Sequence, residues 1–259
     1  MSSLIHPSAI VDPGAELADG VEVGPWTIIG PDVSIGSGTV IGPHVVIRGP
    51  TKIGSNNRIF QFSSIGEECQ DKKYKGEATL LEIGDGNVIR ESCTIHRGTV
   101  QDNSITKIGN DNLLMVNVHV AHDVIMGSHS IVANNASLAG HVHVGDYAVL
   151  GGYCAVHQFC HIGAHSICGA GSVVLKDVAA YTVVNGNTAS AHGINVEGLR
   201  RRGFSKEAVT ALHRAYRIIF RKGLTVQDAV EEVRKLSYQG AELDVLIDSV
   251  LTSTRGIVR

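Results

Sequence analysis

The sequence lacks several features, and each absence removes a class of protein from consideration. Aromatic residues make up only 5% of the 259 positions, so the core is not built around large rings. No run of 18 apolar residues occurs and no basic, apolar leader opens the chain, which predicts a soluble cytoplasmic protein. A net charge of −3 argues against wholesale binding to nucleic acid.

Cysteine is also sparse. The five cysteines are odd in number and include no CxxC pair, which favours a reducing compartment over a disulfide framework. Cys93, Cys154, Cys160 and Cys168 occupy positions that suit small or apolar packing residues in the repeat described next. Cys69 lies outside the repeat and has no predicted role.

Glycine is abundant, with 30 residues, and the sequence contains a regular aliphatic repeat. An aliphatic residue occupies every sixth position in a first run, the phase shifts by one residue, and a second run follows. No α-helix of 3.6 residues per turn keeps such a period on one face. The first run is Val11, Leu17, Val23, Ile29, Ile35, Ile41, Ile47, Ile53, Ile59, Ile65, Ile83, Ile89 and Ile95. The second is Ile108, Leu114, Val120, Met126, Val132, Leu138, Val144, Leu150, Val156, Ile162, Cys168 and Val174.

This period is the hexapeptide signature of a parallel β-helix. In solenoids of this type three hexads close one triangular coil, so residues 18 positions apart lie above one another at about the 4.8 Å spacing of paired strands. Glycine often follows the aliphatic residue, as at Gly24 and Gly42, which suits a chain that turns every six residues. We therefore predict a β-helix over residues 1–190.

The repeat is interrupted between Ile65 and Ile83. Two aliphatic positions fall there on Asp71 and Glu77, which cannot enter an apolar interior unpaired. Residues 67–79 are therefore predicted to project as a loop. Long loops on rigid scaffolds often carry function, although a solvated excursion is the alternative.

Beyond Ala179 the hexads stop, and residues 181–195 are predicted to form an irregular bridge to a helical domain at 191–259. Three helices are expected: one capped by Ser205 and ended by Gly223, one from the capping box of Thr225 and Asp228 to about Leu236, and one over 241–251.

The start of this helical segment is strongly basic. From Arg200 to Lys222 the local charge is +7, and Arg214, Arg217 and Arg221 line the side opposite the apolar face of the first helix. A solvated helix face is the simpler reading of any one arginine. The set as a whole predicts an acidic partner.

Several of the 13 histidines fall together when the coils are stacked. His122, Gly140 and Gln158 are 18 residues apart in one predicted column, with Asp123 and His141 in the adjacent one. The stacking also predicts that His119 and His157 lie nearby. The imidazoles of His6, His44, His129 and His165 are expected to be surface groups on corners of the solenoid.

This column contains the minimum equipment for acyl transfer to a hydroxyl. A histidine beside an aspartate is suited to be a general base, and a glycine one coil above it presents a bare N–H to a developing oxyanion. No GxSxG motif or evident serine or cysteine nucleophile accompanies them, which favours direct attack by the acceptor. Three of the histidines are also compatible with a zinc site.

The stretches NVHVAHD (117–123), NNASLAGHVHVGDYA (134–148) and AVHQFCHIGAH (155–165) closely resemble the family of bacterial acyl-[acyl-carrier-protein]:UDP-N-acetylglucosamine O-acyltransferases. The similarity continues through QDKKYKGE, IRESCTIHRGTVQ, INVEGLRRRGFS and STRGIVR, and so spans the chain. The resemblance implies a left-handed parallel β-helix with a small C-terminal α-helical domain. It also implies a homotrimer with active sites between neighbouring subunits and the first step of lipid A synthesis.

The resemblance further implies individual roles. His122 would be the base that takes the proton of the sugar 3-hydroxyl, Asp123 would support it, and the Gly140 N–H would stabilise the oxyanion. UDP-N-acetylglucosamine would be bound by Asp71, Lys73, His119, His141, His157, Gln158, Asn195, Glu197, Arg201 and Arg202. The donor would be a 3-hydroxyacyl acyl carrier protein docked on Arg214, Arg217 and Arg221. Its phosphopantetheine thioester serves as co-substrate, and no cofactor or metal is expected.

Two positions depart from the family pattern. Thr188 stands where some members have histidine, which removes a possible contact. Ala170 stands where others have glycine or a larger residue at the site thought to measure the acyl chain. An alanine methyl there predicts a chain of intermediate length.

Three other functions compete with this interpretation. One is the N-acyltransferase that acts later in the same pathway, which usually has an additional N-terminal domain. Another is a zinc-dependent hydratase of the same fold. The third is a scaffold solenoid without catalysis, for which the column of His122, Gly140 and Gln158 would be accidental.

Overall fold

Short strands, most of them two residues long, dominate the fold. The computed structural model describes residues 4–238 and 240–259. The first eleven strands are β1 (Leu4–Ile5), β2 (Ile10–Val11), β3 (Glu16–Leu17), β4 (Glu22–Val23), β5 (Ile28–Ile29), β6 (Val33–Ile35), β7 (Val40–Ile41), β8 (Val46–Ile47), β9 (Thr51–Ile53), β10 (Arg58–Ile59) and β11 (Ser64–Glu67). They are followed by β12 (Leu80–Ile83), β13 (Val88–Ile89), β14 (Thr94–His96), β15 (Ile105–Ile108), β16 (Leu113–Leu114), β17 (His119–Val120), β18 (Ile125–Met126) and β19 (Ile131–Val132). The series continues with β20 (Ser137–Leu138), β21 (His143–Val144), β22 (Val149–Leu150), β23 (Ala155–Val156), β24 (His161–Ile162), β25 (Ile167–Cys168), β26 (Val173–Val174), β27 (Thr182–Asn185) and β28 (Ser190–Ile194).

Up to β26, every third strand joins the same sheet, which folds the chain into a three-sided prism. The first face is the 11-stranded sheet that begins with β1 and β4, the second is the 9-stranded sheet of β2 and β5, and the third is the 8-stranded sheet of β3 and β6. Partners in parallel register, such as Val120 and Leu138, lie 18 residues apart. The predicted β-helix with an 18-residue coil is confirmed.

The interior of the prism is a ladder of aliphatic side chains. Ile47, Val120 and Leu150 are fully buried, as are most members of the two runs. All five cysteines are free and buried, and the four assigned to packing positions belong to this core. Each coil removes apolar surface of its neighbours from water, so stability accumulates along the stack.

The glycines that follow the aliphatic residues have a different role from the one expected. A Cβ built on Gly24 would lie 2.7 Å from the backbone of Gly42 in the next coil. The left-handed backbone conformation of the turn is instead adopted two residues later, by Trp26 at φ 56° and His44 at φ 55°. These glycines permit close stacking of backbones, and polar or aromatic residues make the turns.

Turn residues of successive coils stack along the edges of the prism. The edge between the second and third faces, called the histidine edge, contains Asp123 and His141. The edge between the third and first faces, called the tyrosine edge, contains Tyr147, whose ring is 4.8 Å from that of His165. His6, His44 and His129 are exposed, as the sequence predicts, whereas His165 is half-buried and stacks on Tyr147 and Tyr181.

Two insertions leave the prism at the histidine edge. Ile53 pairs with Ile83, 30 positions along, so twelve residues are inserted, and the segment from residue 68 to 79 contains no strand. This confirms the projecting loop predicted near 67–79. The buried guanidinium of Arg97 ties it down by donating hydrogen bonds to the carbonyl of Gly66 and, at 3.3 Å, to the hydroxyl of Tyr74.

The sequence predicts only one extra residue between the two aliphatic runs at the second insertion. This prediction is wrong. Ile95 pairs with Val120, 25 positions along, so seven residues are inserted between β14 and β15. An insertion of seven residues, which is one hexad plus one residue, moves the aliphatic repeat by the same amount as an insertion of one residue. The spacing of aliphatic residues therefore does not reveal this loop. The seven residues 98–104, called the short loop, lie next to the predicted site.

The bridge predicted to be irregular is a hairpin. β27 pairs in parallel with β25 and antiparallel with β28, so residues 182–194 extend the first face. Hexad periodicity ends here because the chain reverses instead of starting another coil. The predicted division between residues 190 and 191 falls inside β28, and it stays a prediction.

Four helices complete the chain: α1 (Val196–Arg201), α2 (Lys206–Arg221), α3 (Val226–Arg234) and α4 (Ala241–Leu251). The Ser205 cap, the reciprocal pair of Thr225 and Asp228, and the 241–251 helix are confirmed, although α3 ends two residues before Leu236. The six-residue α1 was not predicted because it has no room for a hydrophobic period. No helix in the described part of the chain is both long and apolar enough to cross a bilayer.

Candidate active site

A histidine–aspartate pair forms the centre of the histidine edge. His122 Nδ1 lies 2.8 Å from Asp123 Oδ2, and the carboxylate is completely buried. Asp123 also accepts hydrogen bonds from the backbone N–H and the hydroxyl of Thr99, at 2.9 and 2.6 Å. Burial opposes ionisation of this carboxyl, but the hydrogen bonds from His122 and Thr99 outweigh it and lower the pKa of Asp123.

The pairing leaves one nitrogen of His122 for chemistry. In the neutral ring, Nδ1–H donates to the Asp123 carboxylate, and Nε2 remains an acceptor. The side chain is 15% exposed, so the ring is held in place but reachable. This is the arrangement of a general base whose imidazolium form is stabilised by a buried negative charge.

Gly140 follows His122 by one coil and faces its ring. A Cβ on Gly140 would lie 2.5 Å from Cε1 and 2.7 Å from Nε2 of His122, so only glycine fits. Within residues 4–238 and 240–259, the Gly140 N–H has no hydrogen-bond acceptor. A free backbone donor beside a base is suited to bind an oxyanion.

A second histidine cluster lies beside this pair. The Thr94 hydroxyl is 2.7 Å from His119 Nδ1, and the rings of His96 and His119 meet edge to face at 5.0 Å. Burial and then the charge of His119 lower the pKa of His96 to about 4, while burial and then His122 lower the pKa of His119. Both shifts favour the neutral form of these rings.

His141 has its own carboxylate partner. Its Nδ1 lies 2.9 Å from Asp102 Oδ2, and its ring stacks on Phe159 with centroids 4.3 Å apart. His141 is expected here from the sequence, whereas Asp102, Thr99 and His96 are not. The last two lie within the family-like string IRESCTIHRGTVQ, whereas the spacing of the repeat gave no signal for Asp102.

Two cavities adjoin these residues and share Asp71, His122 and Gln158. The larger, of about 610 Å³, is lined by His119 and by small side chains of the second face, including Ala121, Ser137, Ala139 and Ala155. The smaller, of about 420 Å³, is polar and is lined by Lys73, Asp102 and His141 among others. His122 therefore borders both spaces.

Other predicted contacts lie on a different edge within one chain. Asn195 is buried as the cap of α1, where its side chain bonds Gly198 N–H and the carbonyl of His165. Arg202 lies over the Tyr147 ring at 5.0 Å. Asn195 and Arg202 lie at the tyrosine edge and cap the two ends of α1, which contains Glu197 and Arg201. A single chain does not bring them to His122.

The remaining predicted residues are placed as follows. His157 is exposed beside Gln158, and Ala170 is an exposed turn residue between β25 and β26 that lines neither cavity. Thr188 is exposed in the turn of the last hairpin. Arg214 and Arg217 are exposed on α2, but Arg221 donates to the Ala191 carbonyl at 2.9 Å and to the Tyr216 hydroxyl at 3.0 Å.

One group could be read as a metal site. His122, Asp123 and His141 present ligand atoms within 4.8 Å of one another. The Asp123 carboxylate, however, already accepts from His122 and Thr99 at ordinary hydrogen-bond distances. These contacts favour a hydrogen-bonded histidine–aspartate pair over a set of metal ligands.

Comparison with known proteins decides the family. The family model "Udp N-acetylglucosamine O-acyltransferase; Domain 2" matches residues 177–258, and the bacterial transferase hexapeptide model matches residues 105–140. The acyl-[acyl-carrier-protein]--UDP-N-acetylglucosamine O-acyltransferase of Stutzerimonas stutzeri is 60% identical over 99% of this chain and 100% of that protein. The chain belongs to this family of O-acyltransferases.

Solved structures agree with this assignment. LpxA from Acinetobacter baumannii superposes with a TM-score of 0.97 at 55% identity, covering 99% of this chain and 100% of the other. The UDP-N-acetylglucosamine O-acyltransferase of Moraxella catarrhalis gives 0.96 at 52%, covering 98% and 99%. The fold expected from the family resemblance, a left-handed parallel β-helix with C-terminal helices, is confirmed.

Proposed function

We propose that the protein transfers a 3-hydroxyacyl chain from acyl carrier protein to the 3-hydroxyl of UDP-N-acetylglucosamine, the first step of lipid A synthesis. The observation that carries this proposal is the position of His122 between two cavities. Direct transfer needs an acceptor and a donor to meet at one base, and two adjoining spaces meet that requirement.

The chemistry follows from the three central residues. His122 Nε2 takes the proton of the sugar 3-hydroxyl as its oxygen attacks the thioester carbon. The carbonyl oxygen becomes an oxyanion beside the Gly140 N–H, and Asp123 stabilises the imidazolium. The C–S bond then breaks, and the imidazolium returns the proton to the thiolate. The acyl chain ends on oxygen, no oxidant is needed, and the phosphopantetheine thioester is the only co-substrate.

The lining of the two cavities suggests which substrate each receives. The polar cavity, with Asp71, Lys73 and His141, fits a sugar and the start of a diphosphate. The larger cavity has a floor of small side chains, and Ala139 and Ala155 leave room for an extended thioester arm. His119, neutral and hydrogen-bonded to Thr94, borders this second space.

The nucleotide end of the substrate is assigned to a second copy of the chain. Asn195, Glu197, Arg201 and Arg202 lie along α1 and the tyrosine edge, away from His122 within one subunit. A cyclic homotrimer would place the tyrosine edge of one prism against the histidine edge of the next. Arginine is suited to the diphosphate because its donors are fixed and permanently charged.

Subunit complementation tests this arrangement. His122→Ala and the double variant Arg201→Ala/Arg202→Ala are each expected to be inactive and are mixed under conditions that exchange subunits. About a quarter of wild-type activity should return, because random cyclic trimers regain intact sites where two different chains meet. Mixtures as inactive as their components would rule out sites shared between subunits.

The reaction itself is tested with purified protein, UDP-N-acetylglucosamine and 3-hydroxyacyl carrier proteins of graded length. Mass spectrometry should find a 3-O-acylated sugar nucleotide that disappears with His122→Ala. Lack of product with every donor, together with stoichiometric tightly bound zinc, would favour the hydratase alternative. A matched assay with a sugar nucleotide that has a free 2-amino group tests N-acyl transfer.

We also assign the protein to the cytoplasm. Five free, buried cysteines suit a reducing compartment, and both proposed substrates are water-soluble. Fractionation of cells that express a tagged chain would test this location.

A further inference from the structure

The carboxylate of Asp102 reaches His141 only because of the short loop. The two residues are 39 positions apart, and no multiple of the 18-residue coil relates them. The seven-residue insertion carries Asp102 over the histidine edge, where its Oδ2 lies 2.9 Å from His141 Nδ1. Its side chain is 33% exposed, and that of His141 is 9% exposed.

Two contacts fix the His141 ring. The hydrogen bond to Asp102 sets the direction of Nδ1, and stacking on Phe159, with planes 5° apart, sets the plane of the ring. A neutral imidazole whose Nδ1–H donates to a carboxylate presents Nε2 as an acceptor. The ring therefore has one defined face and one defined free nitrogen.

This ring lies next to the reacting centre. His141 meets His122 edge to face, with centroids 5.0 Å apart, and both line the polar cavity. Consecutive coils thus each present a histidine held by an aspartate. The two pairs differ in their surroundings, because Asp123 is completely buried and held by Thr99, whereas Asp102 borders the cavity.

We propose that Asp102 is a positioning residue for the acceptor: its carboxylate holds His141 so that Nε2 accepts a hydrogen bond from the sugar of UDP-N-acetylglucosamine. This inference rests on the proposed function. It adds a residue of the short loop to a site whose proposed base and oxyanion donor come from the coils.

The test compares Asp102→Ala with Asp102→Asn. The alanine variant loses the acceptor for Nδ1–H, whereas the asparagine variant keeps an amide oxygen there. The expected result is a KM for UDP-N-acetylglucosamine raised about tenfold in Asp102→Ala, with little change in kcat. This is the lower end of the effect of removing the carboxylate behind a ligating imidazole. Asp102→Asn should recover most of the loss.

Glu91→Ala is the control. Glu91 Oε2 lies 2.8 Å from Arg90 Nε on the edge between the first and second faces, so it is a carboxylate contact outside both cavities and away from the two edges that meet in the proposed trimer. Its KM should equal that of the wild type. Nitrogen NMR of labelled histidine, with His141→Gln for assignment, should show a changed tautomer balance at His141 in Asp102→Ala alone.

The outcomes separate this inference from the proposed function. Wild-type KM and unchanged His141 resonances in Asp102→Ala would overturn the positioning role, while product formation left the function intact. Lack of product with the wild type would contradict the function itself. If thermal unfolding shows that Asp102→Ala does not fold, Asp102→Ser replaces it, because the shorter side chain also leaves Nδ1–H of His141 without its acceptor. A KM for UDP-N-acetylglucosamine raised about tenfold would support positioning, and a wild-type KM would contradict it.

Discussion

A side chain at residue 140 would collide with His122, since a Cβ there would lie 2.5 Å from the imidazole Cε1. Two consecutive coils thus contact each other at this point, through the backbone of Gly140 in one coil and the imidazole ring of His122 in the other. The contact ties the choice of glycine to the proposed base, and it leaves the Gly140 N–H beside that base, where the proposed oxyanion would form.

Gly140→Ala is therefore expected to lower kcat by about 10²-fold or more, comparable to the loss of one oxyanion donor. The methyl group must displace the His122 ring or the Gly140 N–H. Steady-state kinetics with the acyl donor measure this effect. Gly193→Ala is the control, because a Cβ there meets no atom within 4 Å. Equal activity of the two variants would contradict this account.

His122→Ala is expected to lower kcat by about 10² to 10⁴ while the protein still folds. The ring borders two cavities and contributes little to the aliphatic core. Single-turnover kinetics and calorimetry provide the two readouts. His44→Ala, on the edge between the first and second faces, should retain activity. Full activity in His122→Ala would remove this residue from the mechanism.

The stability of the fold should fall as the pH is lowered from about 6.5 towards 4. Burial, and then the charge of Arg202, lower the pKa of His165 from 6.5 to about 4. In this window the unfolded chain binds a proton that the folded chain does not, so the free energy of unfolding decreases with falling pH. Urea unfolding across the pH range measures the slope. His165→Phe preserves the stack on Tyr147 and should flatten it; an identical slope would refute the assignment.

Charge reversal of Arg214 and Arg217 should raise the KM for acyl carrier protein about tenfold at low salt and leave the KM for UDP-N-acetylglucosamine unchanged. Both arginines are exposed on α2. Arg221 is left out because its bonds to Ala191 and Tyr216 make it structural. Arg58→Glu, on the first face, is the control. If charge reversal at Arg214, Arg217 and Arg58 raises this KM to a similar extent, the effect would reflect a general loss of electrostatic attraction and not a docking surface on α2.

Ala170→Gly should move the preferred acyl chain towards greater length by about one or two methylenes, each worth about 0.8 kcal/mol. Ala170 lines neither cavity of one chain, so a ruler role requires the neighbouring subunit. Competition between donors of graded length gives the preference directly. An unchanged profile would exclude this residue as the ruler.

The sequence predicts the parts of the molecule that follow the period and fails where the period is broken. Val120 and Leu138 could be paired from spacing alone because a buried ladder permits only one register. The same arithmetic brings His122 to Gly140. The position of Asp102 could not be predicted, because insertions of seven residues and of one residue shift the six-residue repeat by the same amount.

The C-terminal elements divide in the same way. The α2 cap at Ser205 has a local side-chain signal, whereas the hairpin of β27 and β28 depends on pairing with β25. Arg202 also eluded spacing arguments: its ring partner Tyr147 lies 55 positions earlier on the tyrosine edge. Contacts between the C-terminal segment and the β-helix follow no sequence period, so spacing does not predict them.

The final hairpin also determines how long the solenoid is. A stack of parallel coils ends in strands whose unpaired N–H and carbonyl groups could template another coil or another molecule. Here β28 runs antiparallel along the first face, and Asp177 binds the Ser253 hydroxyl at 2.7 Å, which brings the C-terminal tail over the last turn. The reversal of chain direction thus ends the parallel stack on the first face, and the C-terminal tail covers the turn that follows β26.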